Sequence, residues 1–380
     1  MIYMDNAATS FPKPVEVAEA VMRQLEDVGG SAGRSSHQGG LATSRLLYET
    51  RCLLAQLINA TDPLRIVFTA NGTEALNVAL QGTLMAGDHV VTTSMEHNSV
   101  LRPLRHLEYK GISHTIVRAD ETGRVKAEDI EDAVKPETRM IAMTHCSNVT
   151  GSLQPVTEVA EIARERGVLF LLDGAQSCGT IPVDLSKIPV DFLAAPGHKG
   201  LLGPQGTGFL YMSPAVEPAS LKQGGTGSRS EDRTQPEYLP DRLESGTQNL
   251  HGIAGLKAGV SFLLKHGVET IRDHEKTCVR RLMDGMKDIS GVVLYGQKDP
   301  EQQGSVISFT LKGLDVNQLN YVLDTVYHIS ARSGLHCAPL AHQTIGTYPM
   351  GTIRFSPGVF TTIQEIDQTL SAIHQMARQL

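Results

Sequence analysis

Val168-Leu-Phe-Leu-Leu172-Asp173-Gly-Ala-Gln176 and Ala195-Pro-Gly-His198-Lys199-Gly200 are the two stretches whose reading decides the fold. The first is a short apolar run that ends in a carboxylate. It follows a helical pattern, Thr157–Arg166, closed by Gly167 as a C-terminal cap. A short apolar run bounded by turn signals reads as a buried strand. The second stretch extends another such run, Phe192–Ala195, into a glycine-rich turn that carries Lys199. Further strands are expected at Arg65–Thr69, His89–Thr93, His114–Arg118, Met140–His145 and Thr207–Tyr211, with helical patterns between them. One such helix, Ser44–Asn59, places Leu46, Leu47, Leu53, Leu54, Leu57 and Ile58 on one face. Strands alternating with helices define an α/β protein with a mostly parallel mixed sheet flanked by helices.

A chain of 380 residues can bury a large core and build more than one lobe. After Leu221 the composition changes. Gln223–Asp241 is polar and rich in Gly, Arg and Pro, and reads as a long loop. A long helical region, Gly252–Met286, follows it. The remainder reads as a smaller α+β unit that ends in a helix opened by the capping-box pattern Thr362-Ile-Gln-Glu365. In that helix Ile363, Ile366, Leu370 and Ile373 recur at helical spacing.

The net charge of −7 and the lack of any basic block argue against nucleic acid as a partner. No signal peptide is visible at the start, and no apolar run approaches membrane-spanning length, so neither export nor a membrane is expected. Five scattered cysteines without a C-x-x-C motif do not make a disulfide framework, and a reducing cytoplasm is the expected location. No metal site is expected, because His336-Cys337 has no second ligand pair at zinc spacing.

The chemistry starts from Lys199 and Asp173. A lone lysine after a turn is usually a surface residue, and an aspartate at a strand end is usually a turn residue. Together they are what pyridoxal phosphate (PLP) requires. The lysine forms a Schiff base with the aldehyde, and the aspartate keeps the ring nitrogen protonated so that the ring accepts carbanion electrons. Asp173 falls at the carboxyl end of its strand, where open α/β sheets bind ligands. Gln176 is placed to donate to the ring 3'-oxygen. Asn71-Gly72-Thr73-Glu74 follows one strand and opens a helix, which offers amides and a dipole to a phosphate. His198 adds a further donor. His97 follows the strand at His89–Thr93 and suits stacking on the ring and proton shuttling. Cys337 sits among Gly, Pro and His in a loop, the setting of a reactive thiol rather than a core cysteine. Arg354, in Thr352-Ile-Arg-Phe355, is placed to clamp a carboxylate with two hydrogen bonds. Gly29-Gly-Ser31-Ala-Gly33 matches G-x-S-x-G, but it follows a helical stretch, Val15–Val28, where a hydrolase elbow needs a strand.

Taken in order, Tyr3-Met-Asp-Asn-Ala-Ala-Thr9, Asn71-Gly-Thr-Glu74, Glu96-His97, Ser147-Asn-Val-Thr-Gly151, Asp173-Gly-Ala-Gln176, Gly197-His-Lys199, Gly224-Gly-Thr-Gly-Ser228 and the Cys337 loop span the chain. In that order the chain resembles the class V aminotransferase-fold enzymes, and among them the cysteine desulfurases. The short Gly334-Leu-His-Cys-Ala-Pro-Leu340 loop is similar to the group II, selenocysteine lyase-like branch. The resemblance implies fold type I of the PLP-dependent transferases. Residues 15–255 would form a large PLP-binding domain, and residues 1–14 with 256–380 a small domain carrying the cysteine loop.

The resemblance also implies roles. Lys199 is the Schiff-base lysine, Asp173 the pyridinium partner, Gln176 the contact to the 3'-oxygen and His97 the stacking ring. Gly72, Thr73 and His198 hold the phosphate, helped by Thr226 from the second subunit of a homodimer. Asn148 and Arg354 hold the carboxylate of L-cysteine. Cys337 is the nucleophile that takes the sulfur as a persulfide, releases alanine and passes the sulfur to an acceptor protein. A selenocysteine lyase or cysteine-sulfinate desulfinase would share this site. A class V aminotransferase would need Lys199 but not Cys337, and a PLP-fold scaffold would show PLP colour without turnover, against which the complete set of Lys199, Asp173, His97 and Cys337 speaks. Two departures stand out. Pro196 occupies the place where relatives usually carry a Ser or Thr phosphate donor, and it has neither hydroxyl nor N–H. The cysteine loop is also slightly shorter than in the group II enzymes.

Overall fold

The apolar run that opened the reading is the strand Leu169–Asp173, near the centre of a seven-stranded sheet. The structure is a computed structural model, and it describes residues 1–28, 30, 37–229 and 231–379. Across the sheet the order is Ile66–Thr69, Gly208–Met212, Phe192–Pro196, Leu169–Asp173, Thr138–Thr144, His89–Thr93 and Ser113–Val117. Gly208–Met212 runs antiparallel to both neighbours, and every other pairing is parallel. All seven strands fall where the apolar runs place them, shifted by a residue or two at the ends.

The central strand alternates between two cores. Phe170 and Leu172 pack on one face of the sheet and Leu171 on the other, so both sides are apolar and the sequence reads as an unbroken run. Each fully buried side chain of this kind contributes about 1.5–3 kcal/mol. The helix Val156–Arg166 returns the chain to this strand and stops at Gly167, whose φ of 65° is left-handed. The helix Gln38–Ile58 starts earlier than the apolar stripe alone implies. His37 caps it by accepting from the Gly40 amide, a start signal that hydrophobic spacing does not carry.

The region Gly252–Met286 is not one helix. Leu250–His266 and Val268–Lys287 are separate, divided at Gly267 with φ 81°. The apolar spacing continues through the break because each helix buries a face against a different body. The first packs on the helices Val15–Glu26 and Gln38–Ile58. The second sends Cys278, Val279, Leu282 and Met286 into a separate core. Residue 255, the expected domain limit, lies inside the first of these helices.

That separate core lies under a four-stranded antiparallel sheet in the order Arg332–Gly334, Thr352–Phe355, Ile307–Leu311 and Val292–Tyr295. The helices Val316–Thr325 and Ile363–Ala377 pack against it. The capping box at Thr362 and Glu365 is formed, with both reciprocal hydrogen bonds. Ile366 and Ile373 are buried, whereas Ile363 in the first turn is exposed. The chain's first strand, Ile2–Tyr3, pairs in parallel with Ile329–Ser330, and Met4 is buried in the same core. The described residues of Gln223–Asp241 contain no helix or strand. Most of the G-x-S-x-G match, Gly29 and Ser31–Gly33, lies outside the described residues.

Candidate active site

The carboxyl ends of the four central parallel strands open onto a cavity of about 230 Å³. His97, Thr144, Asp173, Pro196, His198 and Lys199 reach it from those strand ends. Asp173 is buried, and its Oδ1 accepts from the Ala175 amide at 2.9 Å. Burial raises its pKa, while that amide and Lys199 pull in the opposite direction. Lys199 is lowered to about 8 by burial, with Arg354 and Arg332 acting in the same sense and Asp173 opposing. A lysine in that condition is a competent nucleophile near neutral pH. Gln176 also lines the cavity, and its Nε2 donates to the Ala7 carbonyl at 3.1 Å.

His97 caps the helix Asn98–Glu108, and its Nδ1 accepts from the Ser99 amide at 3.0 Å. That bond places the ring proton of the neutral form on Nε2. Burial lowers its pKa to about 4, helped by Lys199, Arg332, Arg102 and Arg354, so the ring is uncharged at pH 7. Beneath it Glu96 is fully buried. Its Oε1 accepts from Thr93 Oγ1 at 2.6 Å and from the Thr144 amide at 3.1 Å, and burial pushes it up to about 8.

The phosphate end is built on the helix Gly72–Thr83, capped by Asn71 Oδ1 on the Glu74 amide at 2.9 Å. As the first helical amides, those of Gly72 and Thr73 have no acceptor within the helix. A Cβ on Gly72 would lie 3.1 Å from Pro196 Cδ, so glycine lets the helix start close on the Lys199 turn. His198 Nδ1 is buried without a partner. The His198 carbonyl, just before Lys199, accepts from Lys13 Nζ at 2.9 Å and from the Ser10 amide at 3.0 Å. Thr73 Oγ1 is 2.8 Å from Ser99 Oγ. Unclaimed amides, an orphaned imidazole nitrogen, a lowered lysine and a buried carboxylate fit a phosphorylated pyridine aldehyde. Thr226 is the exception within this chain. It lines a different cleft, near Arg51 and Glu244, with its hydroxyl 3.1 Å from Ser228 Oγ.

The opposite wall comes from the small sheet. Arg332 and Arg354 are register partners on adjacent strands, and both line the cavity. Arg354 donates to the Asn148 carbonyl at 3.1 Å and to Asp5 Oδ1 at 2.8 Å. Asn148 lines the cavity too, and its Nδ2 donates to the His336 carbonyl at 2.6 Å. Cys337 is exposed and lies beside the cavity rather than in its lining, whereas its neighbour His336 and its hydrogen-bond partner Arg332 are both in that lining. Arg332 Nη2 is 3.8 Å from Cys337 Sγ. His336 and Cys337 have φ of 48° and 60°, two successive left-handed residues. Such backbone persists where surroundings over-determine it. Here the Asn98 amide holds the Cys337 carbonyl at 2.8 Å, and Asn148 holds that of His336.

Arg332, His336 and Asp5 lie in segments whose motifs are visible in the sequence, but their parts in this site are not. Arg332 faces the cavity only because its strand pairs with that of Arg354. Asp5 reaches Arg354 through the pairing of the chain's first strand and its own bridge to Ser356. An acid in the opening motif and an arginine ahead of the cysteine were the available signals. Among the described residues no cluster of three or more His, Cys, Asp or Glu side chains could hold a metal ion. None of the described helices is long and apolar enough to cross a membrane.

This fold is that of a class V aminotransferase: the model of the aminotransferase class-V family matches residues 2–369, and the chain belongs to that family. Within it the chain falls among the cysteine desulfurases. It is 36% identical to a probable cysteine desulfurase of Methanothermobacter thermautotrophicus, over 99% of this chain and 94% of the relative. The apo structure of the cysteine desulfurase from Thermococcus onnurineus NA1 superimposes with a TM-score of 0.93 at 32% identity, covering 100% of this chain and 95% of that one. The Escherichia coli cysteine desulfurase CsdA, in its S-sulfonic acid form, gives a TM-score of 0.90 at 26% identity with the same coverage. Enzymes of the class V family are generally PLP-dependent.

Proposed function

We propose that the chain converts L-cysteine to L-alanine with PLP, moving the sulfur onto Cys337 as a persulfide. We take residues 15–266 as the lobe that holds the cofactor and residues 1–14 with 267–380 as the lobe that carries the cysteine, the expected limit at 255 moving to the break at Gly267 because Leu256, Val260 and Leu263 pack in the core of the large sheet. Lys199 would bond the cofactor carbonyl carbon, Asp173 would face the ring nitrogen, Gln176 the 3'-oxygen and His97 the ring face. Gly72, Thr73 and His198 would hold the phosphate, joined by Thr226 of a second copy in a homodimer. The cofactor, when bound, supplies a sink for the electron pair left by the substrate's α-proton.

The chain's own groups do the rest. Arg354 and Asn148 orient the substrate carboxylate. Once displaced from the cofactor, Lys199 takes the α-proton on Nζ. His97 is uncharged, so it serves as a platform and as a neutral donor through Nε2. The Cys337 thiolate attacks the substrate sulfur. An S–S bond forms as the C–S bond breaks, and the electron pair of that bond stays with the carbon fragment, which leaves as alanine after protonation. The persulfide sulfur then passes to an acceptor protein. Five cysteines without a disulfide suit a reducing cytoplasm.

The observation that carries this reading is the exposed Cys337, pinned in left-handed backbone beside the wall that holds Arg332 and Arg354. The test supplies L-cysteine to the wild type, Lys199→Ala and Cys337→Ala. Wild type releases alanine and sulfide in equal amounts when a thiol reductant is present, and Lys199→Ala loses at least about a thousandfold in turnover. Cys337→Ala keeps its cofactor colour and releases little sulfur. Full sulfide release by Cys337→Ala contradicts the persulfide route, and alanine formed only with added keto acid points to an aminotransferase.

A further inference from the structure

Arg354 is only 1% exposed, and a guanidinium so buried needs a counter-charge close by. The counter-charge comes from the other end of the chain. Asp5 Oδ1 accepts from Arg354 Nη2 at 2.8 Å, with the Asp5 side chain still 19% exposed. Asp5 is carried there by the strand Ile2–Tyr3 on Ile329–Ser330 and by its own bridge to Ser356, just past Arg354 in the sequence. Of the five N–H donors of the guanidinium, one goes to Asp5 and one to the Asn148 carbonyl, while Nε has no partner. The cavity it faces is rich in cationic side chains. Lys199, Arg332 and Arg354 line it, and Asp173 is the acid on its floor.

We propose that Asp5 is a positioning and specificity-determining residue for the substrate end of the site. It ties one side of the Arg354 fork so that the remaining N–H groups face the cavity. It also cancels one positive charge there, so that the site favours amino acids with an uncharged side chain over those carrying a second anion. The inference rests on Arg354 as the clamp for the substrate carboxylate.

The test needs no sulfur transfer. L-alanine and L-cysteate, the second carrying an additional sulfonate, are titrated into the PLP-loaded protein and followed by the change in cofactor absorbance. Asp5→Asn keeps an oxygen acceptor for Nη2 and removes the charge. Its affinity for L-cysteate rises roughly five- to tenfold relative to L-alanine, the size expected for one unit charge at intermediate distance and dielectric. Asp5→Ala also weakens both ligands, roughly tenfold, and Asp5→Glu returns the ratio toward wild type. A cysteate-to-alanine ratio that stays at the wild-type value in Asp5→Asn overturns the proposal. So does an early-melting variant whose ratio does not move, which would assign Asp5 to the fold alone. Failure of the underlying clamp shows separately, as unchanged L-alanine affinity in Arg354→Lys.

Discussion

The floor and the wall of the cavity are made in different ways. The floor is the row of strand ends that carries Asp173, Pro196 and Lys199, with Glu96 and His97 in the adjoining loop. Glu96, Asp173 and Pro196 are buried and His97 and Lys199 half-buried, its titrating side chains move toward their neutral forms, and most lie a few residues from a strand they terminate. The wall is the pair of strands that carries Arg332 and Arg354, together with the cysteine loop and the first residues of the chain. Its groups are joined by bonds between segments far apart in sequence. Under the proposed function this difference is a division of labour: the floor would fix the cofactor, and the wall would select the substrate and take the sulfur.

That division can be broken most sharply at Arg354. Arg354→Lys keeps a cation but loses the planar fork. Its KM for L-cysteine rises on the order of tenfold to a hundredfold while its cofactor absorbance stays at wild type. Loss of the cofactor in this variant would mean that wall and floor are one unit.

The floor responds to pH instead. Lys199 is lowered to about 8, and its neutral amine is the form that bonds a carbonyl. The rate at which PLP reconstitutes the apoprotein therefore climbs roughly tenfold per pH unit below about 8 and flattens above it. A rate that is flat from pH 6 to 9 contradicts the shielded lysine.

Asn148 bridges the two regions. Asn148→Ala leaves the His336 carbonyl without its donor, at a cost of about 1–3 kcal/mol if no water replaces it. The expected readout is faster alkylation of Cys337 with iodoacetamide and a lowered Tm. Pro196→Ser is the mildest change. It supplies the hydroxyl and N–H that proline lacks beside Gly72, and the Kd for PLP, measured by equilibrium dialysis, should fall a few-fold.

The same contrast explains what the sequence made legible. Strands buried on both faces leave continuous apolar runs, so the large sheet and the residues at its strand ends could be read one segment at a time. Asn71 and Thr362 announced their helices through local capping chemistry. The break at Gly267 was hidden because the apolar spacing runs through it into a different core. Asp5 and Arg332 acquire their places only from strand pairings, and no local spacing encodes which strand a short terminal segment will join. Thr226 remains in a different cleft of this chain, so its expected role depends on a second copy.

A mass measurement on Cys337 shows whether the sulfur passes through that thiol. The PLP-loaded protein is mixed with L-cysteine without reductant, quenched and digested, and the peptide containing Cys337 is weighed. This peptide alone is expected to gain the mass of one sulfur atom, in step with alanine formed, and to lose it on adding a thiol reductant. Alanine formation with an unmodified Cys337 peptide, or sulfur on any of the other four cysteines instead, would contradict passage through Cys337.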